Sequence, residues 1–238
     1  MITLNRETER RRVKRGKHDI LMTFCPLEGT PPTDEFGILM ALNELRIPPG
    51  GVSAPHPPEE AEIVTYVYKG TLAQEDSTGK SGVVSAGEFQ RMTIGRGIRQ
   101  KEKNASRSDW AQIFRIYLRP TEVGLGSTQE QKRFAIAQRH NLLCVVASPD
   151  GRRGSLRLMQ DALVFSSVLD TGRHLIHELL PGRKAWLHVI QGEATLNDIV
   201  LTQGDSAGFK TEPSVSLTAR ENTEILLVDL GPAPRSFE

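Results

Sequence analysis

Two short segments of the chain carry side chains that could bind a metal ion or transfer a proton. The first contains His56, Glu60 and Glu62, and the second contains Gln100 and Glu102. Side chains of an extended strand alternate between its two faces, so residues two apart share a face. If extended, the first segment places His56 on the face of Glu62, and the second places Gln100 on the face of Glu102. A small β-barrel that carries both strands would gather imidazole and carboxylate donors, which are metal ligands.

The elements that would position these groups are short strands separated by turns. Strands are predicted at Ile38 to Ile47, Ile63 to Tyr68 and Ile113 to Leu118, with Pro and Gly turns between them. Such spacing is typical of an antiparallel sandwich or barrel rather than a parallel sheet with helices. Pro120 to His140 is rich in helix formers, which predicts a linker with a short helix. A second run of strands begins at Leu142 to Ala147.

The two runs of strands contain a faint internal repeat. YVYKGTLAQEDSTG followed by VVSAGEF in the first run is matched by HVIQGEATLND followed by IVLTQGDSAGF in the second. In both, an apolar strand meets a glycine turn, another strand follows, and a turn with Gly and an acidic residue comes later. Repetition in a fixed order indicates two copies of one barrel.

Composition excludes several classes of protein. The net charge of the 238 residues is +1, which gives no overall field for nucleic acid, and no apolar run approaches the length of a membrane span. The basic cluster from Arg10 to Lys17 is predicted to be a solvated arm. Two cysteines, Cys25 and Cys144, show neither metal-binding nor disulfide spacing, so a cytoplasmic location is expected.

The order of five motifs, from Phe36 to Leu230, closely resembles the pirin family. They are FGILMALNELRIPPGG, HPPEEAEIVTYVYKGTLAQEDSTG, GEFQRMTIGRGIRQKE, SPDGRRGSLRLMQDALVF and AWLHVIQGEATLND. The resemblance implies an all-β bicupin with two tandem jelly-roll-like antiparallel barrels. We expect an N-terminal barrel with its basic arm at 1–125, a linker at 126–141 and a C-terminal barrel at 142–238. The resemblance further implies one divalent metal, often iron, in the N-terminal barrel, with quercetin 2,3-dioxygenase activity in some members and transcriptional co-regulation in another.

Only half of the metal ligands that the resemblance implies are present. The family's motif resembles H-P-H followed by G-x-x-H-S-E, and here His56 and Glu102 keep the first His and the Glu. Pro58 and Gln100 occupy the two lost His positions. Pro58 has no side-chain donor, and the neutral carbonyl oxygen of Gln100 binds Fe, Ni or Cu more weakly than imidazole does. The site is therefore predicted to be degenerate, with weak or no metal binding.

Three interpretations of the site stay open. The first is a protein that binds a small phenolic or other small molecule, or a protein partner, and acts in regulation. The second is a non-haem metal dioxygenase of quercetinase type that uses Fe, Mn, Ni or Cu, with Glu102 as ligand or base. Gln100 and Glu62 would then be weak ligands beside His56, an oxygen-rich set that suits Mn or Mg. The third is a barrel scaffold used for oligomer contacts, and His56 could also be simply a core residue.

Overall fold

A computed structural model describes residues 1–15, 18–23, 36–53, 61–94, 100–120 and 126–232, and nearly all of them are in β-strands or turns. The strands are β1 (Ile2–Asn5), β2 (Arg11–Arg15), β3 (His18–Thr23), β4 (Leu39–Ile47), β5 (Ala61–Lys69), β6 (Thr71–Asp76), β7 (Ser81–Ser85), β8 (Glu88–Ile94), β9 (Gln100–Asn104), β10 (Ala111–Leu118), β11 (Thr128–Arg133), β12 (Cys144–Ser148), β13 (Leu156–Arg157), β14 (Ala162–Leu169), β15 (His174–Glu178), β16 (Lys184–Gln191), β17 (Glu193–Leu196), β18 (Ile199–Thr202), β19 (Ser206–Phe209), β20 (Ser214–Ala219) and β21 (Thr223–Leu230). Between β11 and β12 lies a four-residue helix, α1 (Ile136–Arg139). The predicted strands agree with β4, β5 and β10 to within two residues at each end.

The first compact unit, called the first barrel, contains β2 to β11. Its seven-stranded sheet has the order β11-β8-β5-β10-β4-β3-β2, and a three-stranded sheet has the order β7-β6-β9. The two sheets pack face to face. Val67 and Ile113 of the larger sheet share one apolar cluster with Leu72 and Val84 of the smaller sheet.

The second compact unit, called the second barrel, contains β1 and β12 to β21. Its seven-stranded sheet has the order β1-β19-β16-β21-β14-β12-β13, and its four-stranded sheet has the order β15-β20-β17-β18. The order β8-β5-β10-β4 of the first barrel is repeated as β19-β16-β21-β14. The expected architecture of two tandem antiparallel barrels is therefore confirmed.

The internal repeat of the sequence marks equivalent hairpins in the two barrels. Gly70 joins β5 to β6 and Gly192 joins β16 to β17, with φ of +81° and +88°. A Cβ at Gly70 would lie 2.8 Å from the Ala111 backbone, and one at Gly192 would touch the carbonyl oxygen of Asn222. Only glycine combines this backbone conformation with so close an approach.

The compact units differ from the expected domain boundaries at two places. β1 pairs with β19, so residues 1–10 belong to the second barrel rather than to the first. The linker expected at 126–141 is split, because β11 pairs with β8 in the first barrel and α1 belongs to the second. The two units are therefore not consecutive in sequence.

The basic segment after residue 9 forms a strand rather than the arm that the sequence predicts, although Arg11, Arg12 and Lys14 are exposed to solvent as expected. Arg10 is buried, and Arg11 to Arg15 form β2, which pairs with β3. Edge strands often carry basic side chains because like charges oppose pairing with another chain. No helix in the described part of the chain is long and apolar enough to cross a membrane.

Candidate functional site in the first barrel

The interior of the first barrel is layered along its strands. One apolar layer contains Ile20, Leu45, Ile47, Val67, Leu72, Val84, Ala111 and Ile113. Another contains Ala61, Ile63, Met92 and Tyr117. Between Ile113 and Tyr117 on β10 lies Arg115, and between Val67 and Ile63 on β5 lies Thr65. A polar layer therefore separates the two apolar layers.

The side chains of the polar layer lie next to one another because they occupy paired positions on neighbouring strands. Arg115 pairs with Asn43 of β4 and with Thr65 of β5, and Thr65 pairs with Gln90 of β8. Directly paired residues share a face of the sheet. All four are buried, Gln90 fully and Arg115 with 1% of its surface exposed. Buried polar rows of this kind are uncommon, because each group must find a partner.

Glu102 faces this row from the smaller sheet and binds its arginine. One terminal nitrogen of Arg115, Nη2, donates to Oε2 of Glu102 and, at 3.2 Å, to Oγ of Ser53. The carboxylate is 4% exposed, so the ion pair lies in the interior. The Tyr117 hydroxyl is a further hydrogen-bond partner of Arg115. Glu102 therefore already has a cationic partner within the protein.

The ionisation of this cluster is set by burial and by the charge pair. Burial, the largest influence, lowers the pKa of Arg115, but the charge of Glu102 and the interactions with Tyr117 together outweigh it and leave that pKa raised. The pKa of Tyr117 is raised as well, chiefly because burial disfavours the phenolate, although Arg115 opposes the shift. At neutral pH the cluster therefore contains a guanidinium and a neutral phenol.

Gln100, a second predicted ligand, is engaged by the side-chain amide of Gln74. Its Nε2 donates to Oε1 of Gln74 at 3.0 Å. Gln74 lies directly opposite Glu102 in the smaller sheet, so these residues share the inward face with Gln100. The shared face of Gln100 and Glu102 agrees with the alternation that the sequence predicts.

Several polar atoms of this interior have no hydrogen-bond partner among the residues that the structure describes. They include both side-chain amide atoms of Gln90, Nε2 of Gln74, Oδ1 of Asn43, Oε1 of Gln100 and Nε of Arg115. An unsatisfied buried donor or acceptor costs about 1–3 kcal/mol. The interior thus contains buried donors and acceptors that no described residue satisfies.

Glu62 does not join this interior. Within β5 it alternates with Ile63 and Thr65, which line the interior, so Glu62 lies on the opposite face of the sheet. There its Oε1 is 3.9 Å from Nε of Arg91. The proposed oxygen-rich set with Glu62 as a weak ligand is therefore not brought together. His56 and Pro58, at the remaining ligand positions, lie outside the described residues.

Arg115 is the central residue that the sequence analysis missed. Ile113 to Leu118 is predicted only as an apolar strand, although Arg115 is the one charged residue within it. A charged residue at an inward position of such a strand needs a counter-charge, because an unpaired buried charge is costly. That signal points to a partner without saying which residue it is.

The other face of the smaller sheet carries an open groove of about 480 Å³. Val52, Ala73 and Val83 line it together with Lys101 and Lys103. Lys101 and Lys103 are exposed there and alternate with Glu102. Lys101 therefore faces away from the site, as the alternation of side chains along a strand requires.

Polar side chains contact the histidines of the second barrel. Nδ1 of the buried His188 is 2.8 Å from Oγ of Ser206, and Nε2 of His177 is 2.8 Å from a carboxylate oxygen of Asp229. Burial, and then the positive charge of Arg10, lowers the pKa of His188 well below its usual range. No cluster of three or more His, Cys, Asp or Glu residues suited to a metal occurs in the part of the chain that the structure describes.

Neither cysteine has an assigned role. Cys144 is a free thiol, and burial raises its pKa although Arg139 and Arg153 oppose the shift. A raised pKa reduces the thiolate fraction, which is the reactive form. Cys25 lies outside the described residues.

Family models match both halves of the chain. The model described as "Pirin" matches residues 8–118, and the model described as "Quercetinase C-terminal cupin domain" matches residues 145–230. These two matches correspond in order to the two barrels.

Similarity to individual named proteins covers almost the full length of the chain. The quercetin 2,3-dioxygenase of Escherichia coli strain K12 is 34% identical over 233 residues, which cover 98% of this chain and 100% of the relative. The pirin-like protein of Caulobacter vibrioides is 31% identical over 200 residues, covering 84% of this chain and 86% of that protein.

Solved structures agree with this relationship. The crystal structure of YhhW from Escherichia coli has a TM-score of 0.89 and 33% identity, covering 98% of this chain and 99% of that chain. A second structure, described as the bacterial pirin YhhW in complex with nickel(II), has the same TM-score and identity and covers 98% of this chain and 100% of that one.

Proposed function

The chain belongs to the pirin family of bicupins, and from this premise we propose that it binds a small molecule in its first barrel without a tightly bound metal. In this proposal the metal site is degenerate, and the protein acts as a binding or regulatory protein, in the cytoplasm. One observation carries the proposal: the carboxylate of Glu102 is held by the buried guanidinium of Arg115.

The described part of the donor set does not fit a divalent metal. Arg115 pairs with Oε2 of Glu102 and compensates the negative charge that would attract a metal ion, which weakens this carboxylate as a ligand. Gln100 contributes only an amide, and its nitrogen is already bonded to Gln74. Neither Glu102 nor Gln100 substitutes for the imidazole ligands that the family's motif would supply. We therefore derive no chemistry through a metal in this chain.

The interior instead suits a guest that both donates and accepts hydrogen bonds. Gln90 presents an amide donor and an amide acceptor, Gln74 a donor and Asn43 an acceptor, all from buried positions. The charge of Arg115 is compensated by Glu102, so the guest need not be an anion. A polyhydroxylated phenol meets these requirements, in keeping with the substrate in the name of the 34%-identical relative.

Binding of quercetin in the presence of a chelator tests this proposal. We expect quercetin to raise the melting temperature without consuming dioxygen, because recognition uses side chains and not a metal. Gln90→Leu should weaken binding about tenfold through the loss of one or two hydrogen bonds. Gln129→Leu, at an exposed position of β11, is the matched control and should bind as the unaltered protein does. Absence of any shift would contradict the proposal.

A second candidate function is a metal-dependent quercetin 2,3-dioxygenase with a remodelled site. The observation in its favour is the identity of 34% over nearly the whole length of a protein of that name. Glu102 would then be needed as a ligand or base, and protonating it would leave Arg115 buried without its counter-charge. Uptake of dioxygen with quercetin, abolished by a chelator and restored by Fe, Mn, Ni or Cu, would establish this second function.

A further inference from the structure

Arg115 lies in the buried interior of the first barrel. It is a central residue of β10, its neighbours on the inward face are Ile113 and Tyr117, and only 1% of its surface is exposed. Moving a guanidinium from water to such a position costs several kcal/mol unless a counter-charge and hydrogen bonds compensate. The fold therefore keeps this charge only because it has a dedicated partner.

The partner is the one carboxylate that the family's ligand motif retains. Nη2 of Arg115 reaches Oε2 of Glu102 from the opposite sheet, and Ser53 accepts a second hydrogen bond from the same nitrogen. Glu102 has 4% of its surface exposed, so solvent screens the pair weakly. Each charge is needed to keep the other buried.

The other arginine buried in this barrel's larger sheet shows that the arrangement is specific. Arg91 is 6% exposed, yet it lies on the opposite face of the sheet. Its nearest acidic groups, Glu62 and Glu130, are both 3.9 Å away, and hydroxyl groups of Thr93 and Thr128 accept from it. Among the described residues of the sheet, Arg115 is thus the arginine aimed at the ligand position.

We propose that the guanidinium of Arg115 is the resident cation of this barrel, which takes the place of the divalent metal at Glu102 and excludes it. This proposal rests on the proposed metal-independent function, and it gives the reason why the first barrel does not bind a metal tightly. Loss of the His positions at Pro58 and Gln100 removes donors, whereas Arg115 adds a competing positive charge. A metal ion would have to displace the guanidinium, which would then remain buried and unpaired.

The consequence is that restoring the donors is not sufficient to restore metal binding. Pro58→His with Gln100→His returns the imidazoles but leaves Glu102 paired with Arg115. Adding Arg115→Gln removes the competing charge while keeping a polar side chain beside Asn43 and Thr65. If only donors were missing, the double variant would bind metal as well as the triple variant does.

The test is nickel(II) titration by calorimetry, with metal analysis of the purified, untagged proteins. We expect no tight binding by the double variant and stoichiometric binding by the triple variant, with affinity roughly 100-fold higher or more. Bound nickel should also raise the melting temperature of the triple variant alone. The matched control replaces Arg115→Gln by Arg91→Gln in the double variant, and this control should remain without tight nickel binding.

Two outcomes would overturn the inference. One is stoichiometric nickel binding by the double variant, because that variant keeps Arg115. This outcome would show that Arg115 does not exclude the metal, even if the triple variant does not fold. The other is a folded triple variant that binds no better than the double variant. Tight metal binding by the unaltered protein would refute the proposed function as well, whereas the two outcomes above leave that function standing, so the two failures are distinguishable.

Discussion

At the scale of single residues, two buried side chains of opposite charge dominate the interior of the first barrel. Arg115 and Glu102 come from different sheets and meet in a layer that apolar residues enclose on both sides. Because solvent is excluded, removal of either partner leaves an uncompensated buried charge. The pair therefore stabilises the fold only as a unit.

A double-mutant cycle measures this dependence. Glu102→Leu or Arg115→Met alone should each lower the free energy of unfolding by about 3–5 kcal/mol, whereas the combined variant should lose much less than the sum. Urea denaturation supplies the values. The control is Arg46→Met at the Arg46–Glu44 pair, where the arginine is 43% exposed and about 0–1 kcal/mol is expected. Additive losses at Arg115 and Glu102 would contradict a coupled pair.

His188 gives the second barrel a dependence on acid pH. Its pKa lies well below 6.5 because of burial and then the charge of Arg10, so the unfolded chain takes up a proton that the folded chain does not. Between the folded pKa and about 6.5 stability rises with pH, and it is lost as pH falls through that window. His188→Gln should remove this component.

The measurement for His188 is urea denaturation at a series of pH values from 7 downward. The difference in free energy of unfolding between the unaltered protein and His188→Gln should shrink as pH falls below about 6.5. Asp198, an exposed carboxylate, offers a control through Asp198→Asn, which should leave this window unchanged. A constant difference across the series would show that His188 does not titrate on unfolding.

The sequence predicts part of the candidate site, for physical reasons. Gln100 and Glu102 lie on one short strand, where alternation suffices to give them a common inward face. The predicted position of Glu62 is wrong because β5 is buried on both faces, so its side-chain pattern cannot identify the face toward the interior. The role of Arg115 is not predicted from the sequence because its partner, Glu102, is 13 residues away in the chain and lies on another sheet.

At the scale of elements, the two barrels repeat one order of strands, and glycines permit the same hairpin in each. Strands β4, β5 and β10 are predictable because they are largely apolar runs between turns. β2 is not, since Arg11 to Arg15 is as polar as an arm and is fixed only by pairing with β3. The place of β1 in the second barrel also depends on a distant strand, β19.

A glycine on β19 shows how tightly the second barrel is packed. A Cβ at Gly208 would overlap the ring of Phe36 and approach the Trp186 ring to 2.7 Å. Those two rings pack edge to face with centroids 4.7 Å apart. Gly208→Ala should therefore lower the free energy of unfolding by about 1–3 kcal/mol through overpacking.

Thermal or urea denaturation measures the Gly208→Ala effect, and a second substitution tests its cause. Phe36→Leu in the Gly208→Ala background should recover part of the loss, because a smaller side chain makes room for the new methyl group. Gly126→Ala is the control, since nothing lies within 4 Å of a Cβ at that position. If Phe36→Leu adds a full further loss to Gly208→Ala, the predicted clash is absent.

At the scale of the whole molecule, membership of the family does not determine the chemistry of the site. The chain belongs to the pirin family over nearly its full length, and its fold matches that of YhhW with a TM-score of 0.89. Similarity of fold does not transfer a reaction, because function depends on the groups at the site. We therefore propose that the barrel persists in this protein while an internal ion pair has replaced the metal.

The most direct test of this replacement is the metal content of the untagged protein after saturation with nickel(II), iron(II) or manganese(II) and removal of free metal. Elemental analysis should find substoichiometric metal, and Glu102→Ala should leave that value unchanged, because Glu102 is held by Arg115 and not by a metal. Stoichiometric metal that disappears in the Glu102→Ala variant would contradict the replacement of the metal by Arg115.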